Sequence, residues 1–345
     1  MKTGLDRVRA ESELPRGGIQ RDSLDLFFRF CLLDPPTHCA SMARLDRFEI
    51  QQIIGFGGMG VVFLAQTPLP MPSFEGEPLT HTVAIKVLKP EYLGKPEVAR
   101  SFMQEARRAQ ALKHPNILPL LEVSGTSDKG GIQKTLATHR TNSTSCPVIK
   151  SNRPYYVMPY LAAGSLAARL AQPPPLDETA VVNIARQIAS ALDYVHAEGI
   201  IHGDLKPGNI LMNQRGQPLV ADFGLSRSLF VSAPSQRANR YWGTLNYLSP
   251  AAIAGQIEDT RRDIYAFGAL LYELLTRVPP YHGAAPKQMI RLIQAGPPSP
   301  VSELNPAANP GLVRVVQTAM ARDLKDRYAC MKDVRMALDA IPLPA

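Results

Sequence analysis

The chain has 345 residues and a formal net charge of +8, from 38 Lys and Arg against 30 Asp and Glu. This length predicts one large domain or two modest ones with tails, and it suffices to bury a substantial core. The basic residues are scattered and form no Arg/Lys block, so no nucleic-acid partner is expected, and binding of phosphorylated ligands explains the charge as well.

No run approaches the roughly 20 apolar residues that a membrane-spanning helix needs. An apolar patch at 24–33 contains Asp25 and Arg29 and lies too far into the chain to be a signal peptide. The cysteines show no metal-ligand spacing and are expected to be reduced thiols, so the sequence predicts a cytoplasmic protein without a membrane span. They are Cys31, Cys39, Cys146 and Cys330.

Residues 1–46 mix charge with Pro and Gly and show no sustained period, which predicts a mobile N-terminal extension. From Phe48 an apolar strand leads into a glycine turn, and a second strand follows at 61–65. A strand after the glycines, instead of a helix, excludes a dinucleotide-binding fold. Glycine lets backbone amides approach phosphate oxygens. A flexible hairpin without a ligand remains an alternative interpretation of the same glycines. The turn glycines are Gly55, Gly57, Gly58 and Gly60.

A Pro-rich loop is predicted at 66–80, followed by a strand at 82–88 that carries Lys86 within an apolar run. Such a lysine can serve a ligand or simply extend from an edge strand to solvent. The segment 97–112 predicts an amphipathic helix, and Glu105 falls beside its apolar stripe. A partly buried carboxylate needs a cation, and neighbouring arginines on the helix surface are the plain alternative to a distant lysine.

Residues 124–153 form a long polar stretch that predicts a loop inserted between two strands. The apolar segment 155–161 then predicts a strand that runs into a connector, and an ordinary edge strand fits these residues equally well. A helix over 177–198 is indicated by a capping Asp177, an apolar stripe and Gly199 at its end. This helix leads directly into the stretch 200–212.

Apolar residues on both sides of 200–212 should anchor a short loop whose polar residues are Asp204, Lys206 and Asn209. A carboxylate, an ammonium and an amide this close together suit phosphoryl transfer to a hydroxyl. Asp204 could accept the hydroxyl proton, Lys206 neutralise phosphate charge, and Asn209 offer an oxygen to Mg²⁺. An isolated solvated turn would show the same residue types.

The stretch Ile-Ile-His-Gly-Asp-Leu-Lys-Pro-Gly-Asn at 200–209 resembles the catalytic loop His-Arg-Asp-Leu-x-x-x-Asn of the protein kinase family. Val-Ala-Ile-Lys at 83–86 and Asp-Phe-Gly at 222–224 match two further kinase motifs, in the same order and at compatible spacing. Lys206 and Pro207 look like the serine/threonine branch, as in bacterial members. The resemblance implies an α+β, bilobal fold in residues 47–345. A small antiparallel N-lobe with one helix would span 47–160, and a mainly helical C-lobe 161–341.

The same resemblance implies a site that binds ATP and Mg²⁺, with Mn²⁺ as an alternative ion, and that phosphorylates Ser or Thr hydroxyls of proteins, including its own. Asp204 and Lys206 would act in catalysis, and Asn209 and Asp222 would hold the metal. Glu105 would position Lys86 against the phosphates. The remaining nucleotide contacts would come from the turn glycines and from Ile54, Val62, Ala84, Met158, Pro159 and Leu161.

Three positions depart from the family pattern. Gly203 replaces an Arg that grips a phosphorylated activation segment in many kinases, so activity is expected to depend little on phosphorylation of 226–244. Ala251 replaces the Glu of Ala-Pro-Glu, whose usual partner would be Arg327, so a softer docking loop is expected. Pro159 replaces a common Glu but keeps its carbonyl.

Two other functions are compatible with the sequence. The departures and long loops could belong to a nucleotide-binding scaffold without activity, but none of them removes a metal ligand, the proton acceptor or the phosphate lysine. A kinase for small-molecule hydroxyls fits less well, because Gly243, Thr244 and Pro250 look like a peptide-docking segment. The sequence does not identify the substrate, the activating signal or the oligomeric state.

Overall fold

The computed structural model describes residues 44–71, 80–124, 148–149, 153–223, 245–256, 259–283 and 285–342. Within these ranges the N-terminal half is a twisted sheet with one long helix, and the C-terminal half is mainly helical. The expected α+β, bilobal fold is confirmed.

The N-terminal sheet has the strand order β5-β7-β4-β3-β2-β1-β6. All neighbouring strands are antiparallel except β1 and β6, which are parallel. One helix, α1 (Pro96–Ala111), packs on this half and leaves Glu105 facing inward. The strands are β1 (Arg44–Leu45), β2 (Phe48–Phe56), β3 (Gly60–Met71), β4 (Thr80–Leu88), β5 (Glu122–Ser124), β6 (Val148–Ile149) and β7 (Tyr155–Pro159).

The sheet curls so that segments far apart in the strand order meet. The Tyr155 hydroxyl on β7 donates a hydrogen bond of 2.7 Å to the Asp46 carboxylate between β1 and β2. Arg47 forms an ion pair with Glu122 on β5. Strand β1 therefore belongs to the folded sheet, which begins slightly before the boundary expected at residue 47.

The Pro-rich loop predicted for 66–80 is shorter in the structure, because β3 continues to Met71. Pairing with β4 is regular up to Gln66 and then shifts before Met71. Proline has no N–H to donate to a ladder, and Pro68 and Pro70 lie within this irregular stretch, where no regular ladder bond is required. Of the insertion predicted for 124–153, the described residues Val148 and Ile149 form β6, an edge strand beside β1.

The C-terminal half is built around α5 (Arg261–Thr276), most of whose side chains are fully buried. A short hairpin of β8 (Ile210–Met212) and β9 (Pro218–Val220) lies between this half and the sheet. The other helices are α2 (Leu166–Leu170), α3 (Glu178–Ala197), α4 (Pro250–Ile253), α6 (Pro286–Ala295), α7 (Val301–Leu304), α8 (Pro310–Ala319) and α9 (Met331–Asp339).

Helix α3 begins and ends where the sequence predicts. Asp177 accepts a hydrogen bond of 2.7 Å from the Ala180 amide, and Gly199 adopts a left-handed φ of 70° just beyond the helix. Its apolar face packs in one continuous buried cluster with α5, α8 and α9. The chain therefore enters the stretch 200–212 from a rigid support. No helix in the described ranges is long and apolar enough to cross a membrane.

Arg327 is buried although Ala251 cannot serve as its acidic partner. Its guanidinium donates to the carbonyls of Ala321 (3.0 Å) and Arg261 (2.9 Å) and lies over the Tyr265 ring. Backbone acceptors therefore satisfy this arginine and connect the start of α5 to the loop after α8.

Candidate active site

The loop that carries Asp204 is held by Asp263 at the start of α5. The two carboxylate oxygens of Asp263 accept hydrogen bonds from the backbone amides of His202 (2.7 Å) and Gly203 (2.8 Å). His196 Nε2 lies 2.8 Å from the same carboxylate. Burial alone would raise the pKa of Asp263, but these donors hold it below its ordinary value. The loop is therefore fixed to α5, a helix with mostly buried side chains.

Gly203 occupies a left-handed conformation with φ of 77°. Side chains with a Cβ are strained in this region, whereas glycine is not. The Gly203 carbonyl accepts a hydrogen bond of 2.9 Å from the Arg262 guanidinium. Backbone geometry thus gives a local reason for the glycine at the position where kinases commonly carry Arg.

Asp204, Lys206 and Asn209 form one polar cluster, as the sequence predicts. Lys206 Nζ lies 2.8 Å from Asp204 Oδ2, and the Asn209 amide donates to the Asp204 carbonyl (2.7 Å) and to Oδ2 (3.0 Å). The other oxygen, Asp204 Oδ1, is buried and has no hydrogen-bond partner within the described part of the chain. One carboxylate oxygen is therefore oriented by two donors, and the second has an unused acceptor position.

Asp222 lies beside this cluster, because the Ala221 amide donates a 2.9 Å hydrogen bond to the Asn209 carbonyl. Asp222 has a left-handed φ of 61°, and its Oδ1 lies 2.7 Å from Lys86 Nζ on β4. Burial would raise the pKa of Asp222, but the Lys86 ammonium keeps it below its ordinary value. This ion pair connects the sheet to the C-terminal half across the cleft.

Glu105 does not pair with Lys86, so the predicted contact is wrong for this conformation. Its Oε1 is buried and has no hydrogen-bond partner among the residues that the structure describes. Burial raises the pKa of Glu105 to about 9, although the nearby Lys86 charge opposes the shift. Two carboxylates face one ammonium here, and Asp222 makes the short contact while Glu105 stays protonated at neutral pH.

Tyr156 is a site residue that the sequence analysis placed in a strand and gave no role. Its hydroxyl donates to Asp222 Oδ1 at 3.2 Å, and Lys86 Nζ lies 5.8 Å from the centre of its ring. The ring is buried and stacks on Phe102 of α1. A tyrosine in an otherwise apolar strand beside the Lys86 strand is the sequence signal that could have identified it.

The residues expected around the adenine form one apolar cluster. Ala84, Met158 and Leu161 are buried in it, and Ile54 and Val62 pack against it from the glycine hairpin. Leu211 of β8 also packs against this cluster. The sequence alone did not predict this contact. Pro159 ends β7 directly after Met158.

The glycine turn approaches Lys86 closely. The Gly57 amide donates to the Gly60 carbonyl at 2.8 Å, which closes the turn around Gly58. A Cβ on Gly60 would lie 2.9 Å from the Val87 carbonyl, and one on Gly57 would lie 3.4 Å from Lys86 Cε. A glycine at position 60 is thus required for packing against β4. This requirement adds to the expected close approach of backbone amides to phosphate oxygens. Gly55 faces Val62 across the hairpin.

The donor chemistry fits a divalent ion held together with a nucleotide. The described residues contain no group of three or more His, Cys, Asp or Glu side chains able to hold a metal alone. A Mg²⁺ ion in a nucleotide site commonly uses one or two carboxylates together with phosphate oxygens and water. The Asp222 carboxylate and the adjacent Asn209 amide match that requirement.

Several predicted elements lie outside the described residues. They include Gly224 and most of the predicted activation segment, with Ser226, Ser228, Ser232, Ser235, Gly243 and Thr244. The described end of this segment is anchored, because Tyr247 donates to Glu273 of α5 and the Ser249 hydroxyl caps α4.

Comparison with known proteins agrees with this arrangement. Residues 48–336 match the family model described as protein kinase domain. The chain is 30% identical over 293 residues to the serine/threonine-protein kinase PknB of Mycobacterium leprae, covering 85% of this chain and 42% of that protein. It is 31% identical over 299 residues to the serine/threonine-protein kinase PrkC of Bacillus subtilis, covering 85% and 41%.

The chain therefore spans about two fifths of the length of these relatives. The family model nevertheless covers most of the chain, including every residue of the proposed site, from the glycine turn to Asp222. The chain belongs to the protein kinase family.

Proposed function

We propose that the protein is a serine/threonine protein kinase that transfers the γ-phosphoryl group of ATP to Ser or Thr hydroxyls of proteins, with autophosphorylation as one outcome. The observation that carries the proposal is the convergence of Lys86, Asp204, Lys206, Asn209 and Asp222 on one cleft. The relatives named as serine/threonine kinases support the same activity.

Bound MgATP supplies the phosphoryl group and the divalent charge that screens it. Asp204 Oδ1, which is buried and unpartnered among the described residues, receives the acceptor hydroxyl and its proton. Lys206, held 2.8 Å from Asp204 Oδ2, places a positive charge beside the transferred group. Asn209 and Asp222 offer the metal ligands, with Mn²⁺ as an alternative to Mg²⁺. Most of the rate then derives from positioning and charge neutralisation.

Lys86 contacts the phosphates after it leaves Asp222. Glu105 is the carboxylate within reach of the same ammonium, so nucleotide binding and deprotonation of Glu105 would favour the Lys86–Glu105 pair predicted from the sequence. The apolar cluster of Ala84, Met158 and Leu161 receives the adenine. An inactive nucleotide-binding scaffold is not favoured, because Gly203, Ala251 and Pro159 leave each of these chemical groups in place.

The test is phosphoryl transfer from labelled ATP to a generic basic protein in the presence of Mg²⁺, with wild type and Asp204→Asn. The variant should lose about 10²- to 10⁴-fold in kcat, because an amide cannot accept the proton. Nucleotide binding, followed by displacement of a fluorescent ATP analogue, should be unchanged. Equal turnover by the two proteins would refute the assignment, and no turnover by wild type would favour the scaffold.

The lack of an Arg at Gly203 also supports activity that depends little on phosphorylation of residues 226–244. Phosphatase-treated protein should keep most of its activity toward the basic protein. Silencing by phosphatase, with recovery after rephosphorylation of that segment, would contradict this expectation.

A further inference from the structure

The carboxylate of Asp222 is bound by two donors, and the proposed reaction assigns one of them to the nucleotide. Lys86 Nζ lies 2.7 Å from Asp222 Oδ1, and the Tyr156 hydroxyl donates to the same oxygen at 3.2 Å. In the proposed reaction Lys86 moves to the phosphates. Tyr156 is uncharged and has no such second task, so its hydrogen bond can persist through the reaction.

The Tyr156 ring cannot easily follow a movement of the carboxylate. It is 3% exposed, and it stacks on Phe102 with ring centres 5.3 Å apart and an angle of 29° between the planes. The hydroxyl is therefore presented from a rigid platform formed by β7 and α1. Asp222, by contrast, has a strained left-handed φ of 61°.

A carboxylate has two oxygens, and each can accept more than one hydrogen bond or metal bond. When Tyr156 holds Oδ1, the rotation of the carboxylate is restricted and Oδ2 keeps one orientation. Asn209 is the second proposed metal ligand. Its carbonyl accepts a hydrogen bond from the amide of Ala221, the residue before Asp222. A fixed Oδ2 lowers the entropic cost of forming the metal site.

We propose that Tyr156 is a positioning residue whose hydroxyl orients Asp222 for the divalent ion of the bound nucleotide, so that it sets the metal affinity of the site. The inference rests on the proposed kinase function, in which the divalent ion serves phosphoryl transfer. Its test, however, measures metal binding and does not require turnover.

The neighbouring Tyr155 provides a matched control. It is also buried on β7, and its hydroxyl donates to a carboxylate, that of Asp46, at 2.7 Å. Because successive side chains of a strand point to opposite faces, Tyr155 packs in the other apolar cluster of the sheet, away from the cleft. Tyr155→Phe and Tyr156→Phe therefore remove the same group from the two faces of one strand.

The experiment is a titration of Mn²⁺ into each protein saturated with ADP, in which free Mn²⁺ is measured by electron paramagnetic resonance. Tyr156→Phe should raise the apparent Kd for Mn²⁺ about three- to tenfold, a modest change, because the 3.2 Å hydroxyl contact is slightly longer than an ordinary O–H···O hydrogen bond of about 2.5–3.0 Å. Tyr155→Phe should leave this Kd unchanged. ADP affinity in EDTA should be unchanged in both variants.

A second comparison separates the donor from the ring. Incorporation of 4-aminophenylalanine at position 156 keeps a donor at the same place and should restore wild-type Mn²⁺ affinity. In turnover assays, Tyr156→Phe should raise the Mg²⁺ concentration for half-maximal rate while kcat at saturating Mg²⁺ stays near wild type. An unchanged or lower Kd for Mn²⁺ in Tyr156→Phe, an equal rise in Tyr155→Phe, or no rescue by the amino group would overturn the proposal. A failure of the kinase proposal alone would appear as Mn²⁺ binding without turnover.

Discussion

Lys86 pairs with Asp222 across the cleft at 2.7 Å, although Glu105 lies close enough for its charge to interact with the same ammonium. The two carboxylates compete for the Lys86 ammonium. The ammonium stabilises the charge of Asp222, and Glu105 takes up a proton. The resting arrangement therefore differs from the one that phosphate binding requires of Lys86. The shared lysine links the nucleotide, the metal ligand and helix α1.

The raised pKa of Glu105 makes the stability of the nucleotide-free protein depend on pH. Its pKa is about 9 in the folded chain against an ordinary value of 4.5, so the folded state binds the extra proton between these values. The stability that this proton on Glu105 contributes to the folded state is fully present below about pH 4.5 and is lost as pH rises toward 9. Glu105→Gln should therefore lose less unfolding free energy than wild type between pH 5 and pH 9, as measured by urea unfolding without nucleotide.

Glu97→Gln is the control for this comparison. It removes an exposed carboxylate from the first turn of the same helix, and its effect should be small. Parallel pH profiles for wild type and Glu105→Gln would show that Glu105 is not protonated in the folded state.

The buried carboxylate of Asp263 should be essential to the loop that carries Asp204. Asp263→Asn replaces one acceptor oxygen by an amide donor opposite the amides of His202 and Gly203. We expect a loss of about 3 kcal/mol or more in unfolding free energy, because a buried donor loses its acceptor. Urea unfolding measures this loss, and phosphoryl transfer should fall with it.

Asp193→Asn offers the comparison at a half-exposed site. Asp193 pairs with Arg335 at 2.7 Å, and the two side chains are 26% and 42% exposed. Removal of this pair should cost less than about 1 kcal/mol. Similar losses in the two variants would mean that Asp263 is no more than an ordinary ion-pair partner.

The conformation of Gly203 predicts a stability cost for any side chain at this position. With φ at 77°, Gly203→Ala should lower the unfolding free energy by about 1–2 kcal/mol. Gly208→Ala in the same loop is the matched substitution, because a Cβ there meets nothing within 4 Å. Chemical denaturation of the two variants checks the difference. An equally stable Gly203→Ala protein would show that the loop can change conformation without cost.

The sequence by itself determined the kinase fold, the polar cluster of Asp204, Lys206 and Asn209, and the course of helix α3. These features are local, since motif spacing, an apolar stripe and capping residues lie within a few turns or loops of one another. The predicted loop at 66–80 and the boundary at residue 47 were less accurate. Whether Pro-flanked residues extend a strand, and whether Arg44 and Leu45 join a sheet, depends on partners distant in sequence.

Only the tertiary structure decided which carboxylate Lys86 contacts, and that Tyr156 reaches Asp222. Both contacts join segments that are far apart in the chain, and the outcome depends on how α1, β4 and β7 pack against one another. A sequence motif records which charged groups are present in a site. The choice between Asp222 and Glu105 follows from burial and geometry, because desolvation raises the cost of an unpaired charge and one ammonium closely contacts one of the two carboxylates.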